Sequence, residues 1–340
     1  MANNQQHPYV TADWKQWIAE NVLKEASVND LEQILVSNGF EARLARLEIE
    51  AAMQHPYVAA ARSTARQLAK RDWVLHTLRS LRDPDSLFRV DEIDRLSTSE
   101  FYSLYYQSNR PVILRNYLNR WPAVTRWTAE YLKQECPDAE VEIQEGRASN
   151  PRFELEPEAH RRRLPFAEFV DFCFSGVKSN DMYMTARNGA SNSGILARLQ
   201  KDLDMLPEFL DSARAAAGLF FWFGPVGTIT PLHHDLTNNF MCQVVGSKRV
   251  RLISPDSLPL VYNDFHVYSA VDLDVPDKAK YPLFEQLHVI DVTINAGDLF
   301  FLPVGWWHHV EGLSTSITIT CTNFLWGNDF TSHYRTPQRI

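Results

Sequence analysis

Residues 219–255, LFFWFGPVGTITPLHHDLTNNFMCQVVGSKRVRLISP, decide how this chain is read. They form two β runs flanking His233-His234-Asp235. Side chains alternate faces along a strand, so His233 and Asp235 are expected to point one way and His234 the other. That makes a two-toothed metal clamp in need of a third ligand. The later run GDLFFLPVGWWHHVEGL offers His308 at the end of another apolar strand. Two imidazoles and a carboxylate leave three coordination positions open, the facial arrangement that suits non-haem iron(II) oxygenases. His234 and His309 are expected to face away from a metal and take packing or hydrogen-bonding work.

Outward from this stretch the pattern stays β. Residues 111–114, 141–144, 182–186, 289–294, 299–303 and 316–322 join 219–223, 240–245 and 249–254 as short runs with brief turns, which suggests a jelly roll. The turn Asn295-Ala296-Gly297-Asp298 is a strong break before the run leading to His308. The expected fold class is mainly β, with residues 86–340 as one domain. Between the early runs lies a polar segment with Arg161, Arg162 and Arg163; a short charge run of this kind is usually a solvated face rather than a contact for an acidic substrate.

Residues 1–85 read instead as helices. Trp14, Trp17, Ile18, Val22 and Leu23 keep helical spacing, Asp30 is placed to cap the helix LEQILVSN, and Gly39 stands where a terminating glycine belongs. Two further helices are expected over about 41–53 and 57–81, the second ending in RDPDS. The tetrapeptide HPYV occurs at His7 and His55, and with no third copy a chance match or two similar helix starts is expected rather than a solenoid repeat. This region either packs onto the β domain or binds a substrate or a second copy as a homodimer.

With 340 residues, 45% of them hydrophobic and 12% aromatic, the chain can fill a sizeable core. A formal charge of −8 argues against general nucleic-acid binding, which requires a basic surface. Cys136, Cys173, Cys242 and Cys321 are widely spaced and read as reduced core thiols, which fits a cytoplasmic setting. The polar start MANNQQHPYV and the lack of a long apolar run give no expectation of secretion or membrane spanning.

The runs WFGPVGTITPLHHD, NNFMCQVVGSKRVRLISP, SAVDLDVPD and NAGDLFFLPVGWWHHV, in this order, resemble the JmjC-type, cupin-like 2-oxoglutarate- and iron(II)-dependent protein hydroxylases. The pattern is similar to that of the hypoxia-inducible-factor asparaginyl hydroxylase and the JmjC arginyl hydroxylases, and it covers roughly residues 87–326. The resemblance implies a double-stranded β-helix that hydroxylates a side chain of a protein or peptide, consuming O2 and releasing succinate and CO2. It makes His233, Asp235 and His308 the catalytic iron ligands. Lys248 falls where the family's 2-oxoglutarate lysine lies, and a buried carboxylate does need such a cation. Thr230 and Tyr183 match the hydroxyl partners of that carboxylate, and Asn239 and Asn323 the polar residues near its oxo-acid end. Trp222, Trp306 and Trp307 fall near the barrel strands, with core packing as their default.

Three alternatives stay open. N-methyl-lysine or N-methyl-arginine demethylation uses the same chemistry, a small-molecule oxygenase would share it, and a catalytically silent cupin would only bind a partner. The intact ligand set and Lys248 favour an enzyme.

Overall fold

The computed structural model describes residues 9–81, 89–263 and 266–334. The chain divides into two compact units, Met1–Ser80 and Leu81–Ile340.

The first unit is helical: α1 Ala12–Leu23, α2 Val28–Ser37 and α3 Ala42–Gln54, followed by α4 Pro56–Leu81. Residues three and four apart on α1–α3 bring Ile18, Val22, Leu31, Leu35, Ala45 and Ile49 into one core, with Trp14 set edge-on to Trp17 and Phe40. The α2 cap is Ser27 rather than Asp30. The Ser27 hydroxyl accepts the Asp30 amide, so the helix starts a turn earlier and Asp30 lies in its first turn, where a carboxylate suits the helix dipole. Gly39, with a φ of 91°, ends α2 as expected. The second HPYV starts α4 with Pro56 in its first position. The first copy begins at His7 and the RDPDS stop at Arg82, and both of these positions lie outside the described residues.

In the second unit, strands β1 Asp91–Ile93, β2 Val112–Leu114, β3 Glu140–Gln144 and β4 Arg161–Pro165 precede eight more. Those are β5 Leu219–Gly224, β6 Ile229–His234, β7 Asn239–Val245, β8 Ser247–Ile253, β9 Ile290–Asn295, β10 Leu299–Leu302, β11 Trp307–Gly312 and β12 Ser316–Cys321. One sheet runs β1-β2-β10-β7-β12-β5 and the other β6-β11-β8-β9, so β5–β12 are shared between two sheets. β3 and β4 form a separate antiparallel pair.

Strand alternation sorts the apolar residues. Phe221, Phe223, Phe240, Cys242, Phe301, Ile317 and Ile319 turn outward from the larger sheet and pack with Phe101, Trp127, Leu132, Phe166 and Phe169 from segments that cover it. Met241, Phe300, Leu302, Val250, Ile294 and Val310 turn inward and cluster between the sheets. These covering helices and the first unit make helix outweigh strand, so the chain is mixed rather than mainly β. Among the described residues no helix is long and apolar enough to cross a membrane.

Several expected elements shift. Residues 182–186 are not a strand: Tyr183 bridges Gln144 and Met184 bridges Phe223, and then Thr185 and Asn188 cap a short 3-10 turn. The arginine run is β4, and its charges meet neighbouring carboxylates, Arg161 with Glu158, Arg162 with Glu145 and Arg163 with Glu142. The three arginines stay exposed on β4, a solvated face as expected, with each charge set against a carboxylate. His308 sits on β11, not on the strand directly after the Asn295–Asp298 turn, because Pro303 and Gly305 separate β10 from β11. All four cysteines are buried and free, with 3.8 Å between the sulfurs of Cys242 and Cys321.

Gly246 joins β7 to β8 with a φ of 69°, and a Cβ there would lie 2.0 Å from the Thr315 carbonyl oxygen. The Ser314 hydroxyl could turn aside, but the Thr315 carbonyl is backbone and cannot, and the positive φ strains any side chain. Gly246→Ala is expected to destabilise the protein by at least ~2 kcal/mol, read as a lowered thermal midpoint of the second unit. An unchanged midpoint would contradict this packing.

Candidate metal centre and its pocket

The centre is built where β6 and β11 pair antiparallel. His308 lies opposite His233 and Val310 opposite Thr230, so β6 spends three residues where β11 spends two. The extra residue is a bulge at Pro231-Leu232, where proline has no amide to offer the ladder. Its effect is specific. Thr230 and His233 are an odd number of residues apart and would face opposite sides of a regular strand, but the bulge turns both into one pocket.

The imidazoles of His233 and His308 lie 4.0 Å apart, centroid to centroid. Each Nδ1 is 2.8–3.0 Å from a backbone carbonyl, that of Pro231 for His233 and that of Trp306 for His308. A proton held there leaves each Nε2 lone pair free and fixes the ring orientation. Asp235 follows the end of β6, and its two oxygens lie 3.9 Å from the two Nε2 atoms. Two ligands each ~2.1 Å from a shared ion stand no more than ~4.2 Å apart, so this spacing fits one cation. All three ligand atoms lie within 4.8 Å of one another. Burial, with the neighbouring His233 imidazole as second cause, pushes His308 down to about 3, which keeps it neutral and able to ligate.

The neighbouring histidines face away. His234 sets its ring edge-on to Trp307. His309 contacts Arg251 and Asp274 on the outer side. Trp306 donates to Asn109, and Trp307 packs with Leu232 and Ile253, so both belong to the core. Trp222 does not: it is half-buried, lines the pocket and donates to the Thr320 hydroxyl.

Behind the three ligand candidates the inter-sheet space stays hollow, with about 60 Å³ open to water-sized molecules. Met241, Leu302 and Val310 give it apolar walls, and Tyr183, Thr230 and Lys248 give it a polar end. Lys248 is 2% exposed and meets the Tyr183 hydroxyl at 3.2 Å. Burial drags its ammonium down to about 7. A cation in so dry a place, with no carboxylate against it among the described residues, is complementary to a ligand's carboxylate. Asn239 donates to Asp235 at 3.4 Å, and its buried Oδ1 has no partner among the described residues, leaving an acceptor beside the centre.

Of the residues singled out from sequence, His233, Asp235, His308, Tyr183, Thr230, Asn239 and Lys248 converge on this pocket. Asn323 does not. β12 ends at Cys321, and Asn323, beyond it, turns its amide to the Asp211 carbonyl at 2.8 Å and lines a separate cavity with Gly218. Thr318 and Thr320 line the pocket in its place. The alternation Ser-Ile-Thr-Ile-Thr-Cys of β12 carried that signal, since Ile317 and Ile319 face the outer core and the threonines therefore face in.

Comparison with known proteins follows this geometry. Residues 98–332 match the family described as a cupin-like domain. Lysine-specific demethylase JMJ30 of Arabidopsis thaliana is 29% identical over 253 residues, 71% of this chain and 55% of that protein. Lysine-specific demethylase 8 of Xenopus tropicalis is 26% identical over 249 residues, 71% of this chain and 54% of that protein. The tRNA wybutosine-synthesizing protein 5 of Gallus gallus is 29% identical over 243 residues, 65% of this chain and 73% of that protein. The chain thus spans about half the length of the demethylase relatives. The family match takes in β5–β12 and every residue of the candidate centre, and on that extent the chain belongs to the cupin-like domain family.

Proposed function

We propose that this protein is an iron(II)- and 2-oxoglutarate-dependent oxygenase, built on a double-stranded β-helix, that hydroxylates a side chain of a protein or peptide. The observation that carries the reading is one pocket holding both a two-histidine, one-carboxylate cluster and a buried, carboxylate-free ammonium. Iron(II) bound there would supply oxidative decarboxylation of 2-oxoglutarate by O2, coupled to C–H hydroxylation and yielding succinate and CO2.

The chain's own residues have distinct tasks in this reading. His233, Asp235 and His308 hold the metal on one side and leave the side facing the pocket free. Lys248 pairs with the distal carboxylate of the oxo acid, and the hydroxyls of Tyr183 and Thr230 complete its hydrogen bonds. Asn239 orients Asp235 and offers its free oxygen or amide to the ligand's near end. Met241, Leu302 and Val310 keep water from the reacting atoms. Asp235, with its side chain 30% exposed, marks the open side by which a substrate carbon enters.

A protein substrate is favoured over RNA by the formal charge of −8, since RNA would demand a basic face. A second reading, removal of N-methyl groups, draws support from relatives named as lysine-specific demethylases. Hydroxylating an N-methyl carbon releases formaldehyde, so formaldehyde from methylated peptides separates the two.

Succinate formation from 2-oxoglutarate with iron(II) and O2 tests the reaction class. Native protein is expected to turn over. His233→Ala is expected to lose turnover, and Lys248→Ala to need about 100-fold more 2-oxoglutarate, the scale of a lost buried charge pair. Native protein that neither turns over nor binds the oxo acid would overturn the proposal.

The low proton affinity of Lys248 adds a pH signature. Only the ammonium form pairs with a carboxylate, and the empty pocket loses that proton above about pH 7. Affinity for 2-oxoglutarate should hold steady below that pH and fall by up to ~10-fold per unit above it, with uptake of nearly one proton on binding. Calorimetry of the Mn(II)-loaded protein in buffers of different ionisation heat measures both, and pH-independent binding from pH 6 to 9 would refute this role.

A further inference from the structure

A buried ion pair that the pocket does not itself contain lies directly behind it. Arg147, its side chain fully buried, stacks between two rings, 4.2 Å from the centroid of Phe153 and 5.0 Å from that of Tyr183. Its Nη2 donates to the Ile229 carbonyl at 2.7 Å and to Glu154 at 3.3 Å. Its Nε and Nη1 find no partner among the described residues. Glu154, 8% exposed, reaches on to Arg187 at 3.4 Å and accepts from the Tyr268 hydroxyl at 3.3 Å. Arg187 also donates to that hydroxyl at 2.6 Å. Tyr268 in turn lies nearly parallel to the His233 ring, 5.7 Å away, and pairs with His233 through the backbone. Arg147, Glu154 and Tyr268 also line a larger cavity on the outer side of β6, so the pair stands in the wall between two cavities.

We propose that Arg147 and Glu154 act as one positioning dyad, which sets Tyr183 at the carboxylate end of the pocket and Tyr268 over the metal-binding His233. The dyad rests on the oxygenase reading above. Arg147 fixes the plane of Tyr183, whose hydroxyl is the contact of Lys248, and adds positive charge behind the site of a dianionic ligand. Glu154 neutralises that charge and orients Tyr268 and Arg187 at the mouth. A disturbance at either residue therefore reaches both ends. An ion pair with two idle donors is a poor stabilising device for a wall that apolar side chains would fill, which makes a purely structural role the weaker account.

The test uses the full chain loaded with Mn(II), titrated with 2-oxoglutarate, and loaded with Co(II), read by its visible spectrum. Arg147→Met and Glu154→Gln are each expected to weaken 2-oxoglutarate binding about 10-fold and to change the Co(II) spectrum. The double variant should be no worse than the poorer single one, because the two act as a unit. Arg147→Lys should recover part of the affinity. Glu154→Gln keeps the shape of the side chain, so it carries the test if Arg147→Met fails to fold. Folded variants with native affinity and native spectrum, whatever their thermal midpoint, would overturn the dyad, as would losses that multiply in the double variant. Native protein that binds no 2-oxoglutarate would instead sink the oxygenase reading on which the dyad rests.

Discussion

The candidate site depends on one strand pairing, β6 against β11, and on the single extra residue that β6 carries in it. Register on a strand is binary, and a slip of one residue sends every side chain to the other face. Here the pairing sets His233 opposite His308, and the bulge at Pro231-Leu232 then reverses the face of everything earlier on β6. Thr230 arrives beside Lys248 only through that reversal. On the proposed reading the bulge aligns two chemistries, metal ligation at one end of the strand and carboxylate binding at the other. The proline within it makes the irregularity cheap, since its position in the ladder forfeits an amide bond in any case.

The second constraint is the division of labour between the inner and outer faces of the sheets. Phe300 and Leu302 face inward while Phe301 between them faces outward, so a short apolar run feeds two cores at once. The inner core fills only part of the inter-sheet space. Where Met241, Leu302 and Val310 end it, threonines and Lys248 take over, and the interior becomes a pocket. A fully apolar filling would pack better; the hollow and its buried charge are what a ligand-binding barrel gives up in stability.

Much of this was legible in the sequence because it was local. Period-two runs located most strands of the two sheets, and the spacing of His233, Asp235 and His308 located the centre. What escaped was set by partners far away in the chain. Ser27 and Asp30 both look like caps, and only the packing of Leu31 and Leu35 decides which turn comes first. The arginines of β4 are solvated as their sequence suggests, but that β3 sets Glu142 across from Arg163 is a pairing the local sequence does not carry. Asn323 looks like a continuation of β12, yet the strand stops at Cys321 and the asparagine leaves with the loop. Arg147 gave no signal, since a lone arginine in a polar stretch carries no period and its partners Tyr183, Ile229 and Glu154 come from three separate segments.

The charge arrangement ties these features into one electrostatic argument. On the proposed reading, a dianionic oxo acid entering a dry pocket loses its hydration and must regain it from fixed groups. Lys248 alone, with its proton held loosely, offers a cation that is fully present only below about pH 7. A guanidinium keeps its charge where an amine gives it up, so Arg147 behind Tyr183 supplies a permanent field where Lys248 supplies a conditional one. Arg147 is screened by Glu154, and the same carboxylate holds Tyr268 over His233. One acidic side chain, Glu154, thus touches both the guanidinium behind Tyr183 and the tyrosine beside His233, and the proposed dyad rests on that double contact.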